Sequence, residues 1–161
     1  MKSKIAHNIK HRSNPNDEFD TPRDLAKKLF KLVPVREKDV VMDNAYGKGN
    51  FYFEGLKSKD FLNDKRKVDW YITNPPYSFL DKWLIKSCEA NRGFAYLLGI
   101  NNLTARRIEM CEKEGFGITK IHLCKVFKWF GMSAFIIWEK GQTGIIDYDR
   151  TVWRDKKETK K

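Results

Sequence analysis

Apolar positions along the 161-residue chain change their period from one segment to the next. After a polar stretch over 14–20, Leu25, Leu29, Leu32 and Val33 recur at helical spacing, and Pro34 closes the run. The pattern predicts an amphipathic helix with Thr21 as its cap, Pro22 in its first turn and Asp24 as a short capping-box acid. Val40, Val41 and Met42 then read as a short strand ending on Asp43, and the chain turns through Gly47 and Gly49. A second strand is expected over 68–73, ending in Asn74-Pro75-Pro76-Tyr77. A third, over 93–100, is almost uniformly apolar, as an interior parallel strand covered on both faces would be. Between them Leu80, Trp83, Leu84, Ser87 and Cys88 share one helical face, and a further helix is expected over 104–114, stopped by Gly115. The stretch 117–141 reads as two antiparallel strands joined near Gly131. Strands alternating with helices, followed by a hairpin, predict an α/β fold with a doubly wound, mostly parallel sheet.

Composition narrows the setting. A chain of 19.0 kDa with 41% hydrophobic and 14% aromatic residues can bury one sizeable core. Its 32 Lys and Arg against 21 Asp and Glu give +11, which points first to a polyanionic partner such as nucleic acid. The excess is concentrated at the ends: Lys2, Lys4, Lys10 and Arg12 stand without an acid, and 154–161 hold five basic groups against two acidic. We therefore divide the chain into a basic, flexible leader (1–16), a catalytic domain (17–152) and a basic tail (153–161). No apolar run reaches the length of a membrane span, and the three cysteines fit a reducing cytoplasm, so a cytoplasmic protein is expected. His122 and Cys124 have no neighbours at metal-ligand spacing, and no metal site is expected.

The sharpest chemistry lies in Asn74-Pro75-Pro76-Tyr77. Proline has no amide hydrogen, so the strand must end before the pair, holding nearby carbonyls and side chains rigidly at the sheet edge. An exocyclic amine is a poor nucleophile because its lone pair is delocalised into the ring. If the Asn74 oxygen and the Pro75 carbonyl accept its two hydrogens, the nitrogen is drawn toward tetrahedral geometry and can attack a sulfonium methyl in line. This is placement plus stabilisation of developing charge, and no strong base is required. Tyr77 would stack on a base swung out of its duplex. Asp43 at a strand end, followed by Gly47 and Gly49, is the kind of edge where open α/β sheets build ligand crevices.

Together these blocks resemble the amino-directed, S-adenosylmethionine-dependent DNA methyltransferases, most closely the small adenine-specific ones often encoded by phages and prophages. DEFDTPRDLAKKL resembles the family's aromatic-x-Thr-Pro helix start, VVMDNAYGKGNF its cofactor strand and loop, and DWYITNPPYS its catalytic loop. The resemblance covers roughly 17–140 and implies a Rossmann-like class I methyltransferase sheet. It implies that Phe19, Thr21 and Pro22 border the methionine end of the cofactor. It places Asp43 near the amino-acid moiety, Gly47 and Gly49 beneath the cofactor, and Asp60 and Phe61 at its adenine. Asn74, Pro75, Pro76 and Tyr77 form the implied catalytic loop, and the reaction is methyl transfer to adenine N6 in DNA.

Three departures qualify the match. Only 50–68 separates Gly49 from Asp69, too little for the full set of helices and strands in a cofactor half-domain, so a trimmed sheet is expected, with Glu54 a candidate for the ribose acid. Asn44 stands where the family often has proline. No segment is long enough for a target-recognition domain, which implies a protein partner or homo-oligomer supplying recognition. The same loop chemistry serves cytosine N4, RNA bases or protein glutamine, and a shortened, inactive binding or assembly module is a different-class alternative. Arg106-Arg107 reads as a phosphate contact or a solvated turn. Lys125 and Lys128 with Phe127, Trp129 and Phe130 read as a nucleic-acid surface or as aromatic packing at the sheet end.

Overall fold

The computed structural model describes residues 20–47, 49–51, 54–128 and 131–152; the basic leader and tail, Phe19, Trp129 and Phe130 lie outside them. The short apolar runs become neighbouring strands: β1 (Val41–Asp43), β2 (Leu56–Lys57), β3 (Trp70–Thr73) and β4 (Gly93–Gly99). The terminal hairpin adds β5 (Phe116–Cys124) and β6 (Ser133–Lys140). They form one sheet in the order β2-β1-β3-β4-β6-β5. The β2-β1-β3-β4 portion is parallel, β6 runs antiparallel to β4, and β5 antiparallel to β6. The interior strand β4 is thus parallel on one side only.

Helices cover both faces. Side chains alternate along β4, so Phe94, Tyr96 and Leu98 enter one core, and Ala95 and Leu97 enter the other. Helix α1 (Arg23–Phe30) packs Ala26 and Leu29 onto Trp70, Ile72, Phe135 and Ile137. Helices α2 (Leu80–Ser87) and α3 (Ala105–Lys113) bring Leu80, Leu84, Ile108 and Cys111 to Phe94, Tyr96, Ile136 and Trp138. Each of the larger apolar side chains buried this way contributes about 1.5–3 kcal/mol relative to exposure. Thr104 caps α3 as a threonine should, its hydroxyl accepting from Arg107 N at 3.3 Å.

Several expectations need correction. The N-cap of α1 is Pro22, without a side-chain cap bond, so neither Thr21 nor Asp24 caps that helix. The helix closes at Phe30 and continues only as tighter contacts, Leu32 N to Leu29 O at 3.0 Å and Val33 N to Phe30 O at 3.1 Å. Val33 precedes Pro34, and the proline ring disfavours a helical residue before it. Val40 is outside β1: its N–H donates to the Asp69 carboxylate at 2.7 Å, taking it off the ladder. The second strand begins at Trp70 rather than 68. As expected, the 50–68 interval is trimmed. Among its described residues it holds only β2 and a single 3-10 turn, Phe61–Asn63.

Candidate active site

Strand order reverses direction around β1, whose chain neighbours β2 and β3 flank it on opposite sides. Ligand crevices of open α/β sheets form outside the carboxyl ends of the strands at such a switch point. Asp43 ends β1, and Asn74 directly follows β3 on the adjacent strand. The two ends are tied together, because the Thr73 hydroxyl donates to Asp43 Oδ1 at 2.7 Å. Ala45 N donates to the same oxygen at 3.2 Å. Burial pushes the Asp43 carboxyl up to about 6, and these two neutral donors only partly oppose it.

The chain leaving Asp43 folds over itself. Gly47 and Gly49 have φ of 47° and 78°, the left-handed region that suits glycine. A Cβ on Gly49 would lie 2.9 Å from the Tyr46 ring, so that glycine is required twice over. Lys57 at the end of β2 places its ammonium 4.8 Å from the Tyr46 ring centroid. Neither Tyr46 nor Lys57 carries a local sequence signal; they meet because β2 pairs with β1, with Asp43 opposite Lys57. Glu54 precedes β2 and therefore stands at the opposite end from a ribose acid. The first carboxylate beyond the carboxyl end of β2 is Asp60, which is exposed and receives the Asn63 amide on both oxygens. Phe61 is 1% exposed, its ring against Tyr71 and Trp83 at 4.9 and 5.0 Å.

Asn44 shows what its departure from proline does. It is buried and donates to the Tyr96 hydroxyl at 2.7 Å, and that hydroxyl meets Ser87 Oγ. Ser87 in turn donates to the Trp83 carbonyl at 2.7 Å. This polar chain pins the cofactor-side loop to β4 and to α2, the helix that follows the catalytic loop.

On the acceptor side, Asn74 Nδ2 donates to Thr21 Oγ1 at 3.3 Å. Pro75 is buried and Pro76 half-buried, and Tyr77 opens a 3-10 turn, Tyr77–Phe79, that leads into α2. The Tyr77 hydroxyl accepts from Gly99 N at 3.0 Å, which anchors it to the end of β4. Asp20, Asn74, Tyr77, Leu97, Val126, Phe127 and Ser133 line an open crevice of about 300 Å³. Phe127, which sequence reasoning left between two roles, thus faces the same crevice as Asn74. Arg106 and Arg107 both pair with Asp81, Arg107 at 2.7 Å, and so fasten α3 to α2. Among the described residues no group of three or more His, Cys, Asp and Glu gathers as a metal would require.

The structure therefore brings together Thr21, Asp43, Asn74, Pro75 and Tyr77, with Pro22 beginning the α1 turn. Gly47 and Gly49 shape the adjoining loop. Asp60 and Phe61 follow β2 on the other side of β1.

No protein-family model and no curated protein matches the chain. Solved structures do. PH1948 from Pyrococcus horikoshii, a presumed RNA methyltransferase, superposes with a TM-score of 0.61 at 17% identity, covering 87% of this chain and 98% of that one. The Mtq2–Trm112 structure from E. cuniculi, a complex responsible for methylation of the eRF1 translation termination factor, gives 0.58 at 15% identity, covering 78% and 99%. Magnesium protoporphyrin IX methyltransferase (ChlM) from Synechocystis PCC 6803, with S-adenosylmethionine bound, gives 0.57 at 10% identity, covering 73% and 76%. At such identities the likeness concerns architecture. The chain has a Rossmann-like class I methyltransferase fold, with a mixed, mostly parallel sheet and flanking helices.

Proposed function

We propose that this protein transfers a methyl group from S-adenosylmethionine to a planar amino or amide nitrogen held at Asn74, Pro75 and Tyr77. The observation that carries this reading is the adjacency of two strand ends, Asp43 on β1 and Asn74 after β3, joined through Thr73. The cofactor fits the donor set on one physical ground. Asp43 is a buried carboxylate whose donors are neutral, and burial raises its pKa to about 6, so a cationic ligand would relieve it. S-adenosylmethionine, when bound, supplies a methyl group on a positively charged sulfur. Asp43 would hold its ammonium group, the Gly47–Gly49 turn would pass beneath it, and Asp60 and Phe61 would serve its adenine end.

Asn74 and the Pro75 carbonyl accept the two hydrogens of the acceptor nitrogen and localise its lone pair. The nitrogen–carbon bond forms as the carbon–sulfur bond breaks, the electron pair stays on sulfur, and the extra proton passes from nitrogen to solvent. Tyr77, anchored through Gly99, supplies a ring against the acceptor plane. The protein's work is placement and electrostatics.

Adenine N6 in DNA is the acceptor favoured by the Thr-Pro helix start combined with the catalytic loop. An RNA base or a protein amide is the second reading, favoured by the architectures of PH1948 and of the complex that methylates eRF1. Incubating the purified chain with labelled cofactor and, separately, unmethylated DNA, RNA and a protein extract separates them. Mass spectrometry then reads N6-methyladenine, N4-methylcytosine and methylglutamine. Label in DNA as N6-methyladenine is expected. Label in another acceptor moves the assignment there, and none in any of them, from protein that binds the cofactor by calorimetry, would sink the reading.

A further inference from the structure

We propose that Thr21 is a positioning residue for the acceptor: its hydroxyl decides which end of the Asn74 amide faces the nitrogen to be methylated. The inference rests on the amino-transfer reading and deepens it. The two ends of an asparagine amide are nearly equal in size, so a half-turn about the last side-chain bond exchanges an acceptor for a donor. An amine that must give up its hydrogens to Asn74 needs oxygen, and a flipped amide would set N–H against N–H. In the structure Asn74 Nδ2 donates to Thr21 Oγ1 at 3.3 Å, so the opposite end of the group is oxygen.

Thr21 is built for a fixed role. It is 4% exposed and sits immediately before Pro22, whose ring restricts the preceding backbone to extended conformations. Pro22 starts α1, and Ala26 and Leu29 of that helix are fully buried, so the threonine is carried on a docked element. A threonine at a helix start ordinarily bonds to the first-turn amides. Here α1 has no side-chain cap, and the hydroxyl is engaged instead with a loop 53 residues away. A residue that holds a reacting group in the correct orientation typically matters by about 10- to 100-fold.

The test compares Thr21→Val, which keeps the shape and removes the hydroxyl, with Thr21→Ser, which keeps the hydroxyl. The full chain is assayed with labelled S-adenosylmethionine on whichever acceptor the wild type methylates, alongside calorimetric cofactor affinity and thermal melting. The expected result is a fall in kcat of about 10- to 100-fold for Thr21→Val at unchanged cofactor affinity and melting temperature, with most of the rate recovered in Thr21→Ser. In nitrogen-edited NMR spectra the Asn74 side-chain amide signals should move in Thr21→Val and not in Thr21→Ser. Full kcat in Thr21→Val overturns the proposal, as does a loss explained by weaker cofactor binding or by unfolding, or an unmoved Asn74 signal. A wild type that methylates none of the three acceptors ends the amino-transfer reading itself, and the proposal with it.

Discussion

The two sides of β1 are built to different standards. On the acceptor side, β4 buries all seven of its residues and pairs along its whole length with β6. On the cofactor side, β2 contributes two residues, one of them exposed, and is held by turn contacts: Ser58 N to Asp43 O at 2.9 Å and Arg66 to the Lys57 carbonyl at 2.8 Å. The difference follows from what each side must do. An in-line transfer loses rate steeply when the acceptor moves by about an ångström, so rigidity belongs under Asn74 and Tyr77. Holding a cofactor tolerates a looser edge, at the cost of affinity.

The comparison breaks most directly at Asn74. Asn74→Ala should lower kcat by about 10²- to 10³-fold, the usual loss for one preorganised group at a reacting centre, while cofactor affinity stays within about twofold. A radiometric assay paired with calorimetry reads both. A variant that loses cofactor and keeps turnover would reverse the roles assigned to the two sides.

Asp43 tests the other side. Its folded pKa of about 6 lies above the ordinary 3.8, so the folded state holds the proton more tightly than the unfolded chain does. The stability this contributes is fully present below about pH 4 and is lost as pH rises through about 6, an integrated change of roughly 3 kcal/mol. Asp43→Asn carries no charge to bury. Its unfolding free energy should fall less than the wild type's between pH 4 and 8, so that the variant melts higher at pH 8. Cofactor affinity should drop about tenfold or more with the loss of a partly buried charge pair. Equal pH profiles for the two proteins in urea titrations would remove Asp43 as a strained carboxylate.

The parts of this arrangement visible in the sequence are those with local causes. The run 93–100 announces β4 because burial on both faces demands apolar side chains throughout, and Pro75-Pro76 announces the end of β3 because neither residue can donate to the ladder. Thr104 reads correctly as a cap, whereas Thr21, in the same kind of position, does not. Its partner is Asn74, and a capping rule that looks only at adjacent residues cannot see it. The strand β2 has two residues and hence no period to detect, so the Tyr46–Lys57 contact that depends on it was invisible as well. Phe61 was legible as an aromatic beside an acid, but its burial against Tyr71 and Trp83 follows only from where the shortened interval returns the chain.

Matched glycines sharpen the contrast in rigidity. A Cβ on Gly93 would come within 2.3 Å of the Trp138 carbonyl and 2.6 Å of the Trp70 ring, in the middle of the acceptor-side sheet. A Cβ on Gly55 would come within 2.5 Å of the Val41 carbonyl, beside the two-residue edge. Overpacking of this kind typically costs about 1–3 kcal/mol, and Gly93→Ala should lie at or above the top of that range because every neighbour is buried. Gly55→Ala should lie near the bottom, since β2 can shift outward, and should show itself in weaker cofactor binding. If the two variants melt alike, the cofactor edge is as integrated as the centre of the sheet.

The smallest expected effect separates the two functions of Tyr77. Its hydroxyl accepts from Gly99 N at the end of β4, and its ring borders the crevice. Tyr77→Phe keeps the ring and removes only that bond, worth about 1 kcal/mol, so kcat/KM should fall by no more than about fivefold and stability by a similar free energy. Tyr77→Ala, which also removes the ring, should cost about 1–3 kcal/mol more if the acceptor is a base stacked on it, and the loss should fall mainly on KM. An acceptor that is a flexible protein amide offers a smaller face to the ring, and the gap between the two variants should then narrow. The ratio of the Phe and Ala effects, measured on the acceptor the protein methylates, therefore reports how much of the acceptor side's rigidity serves a stacked plane.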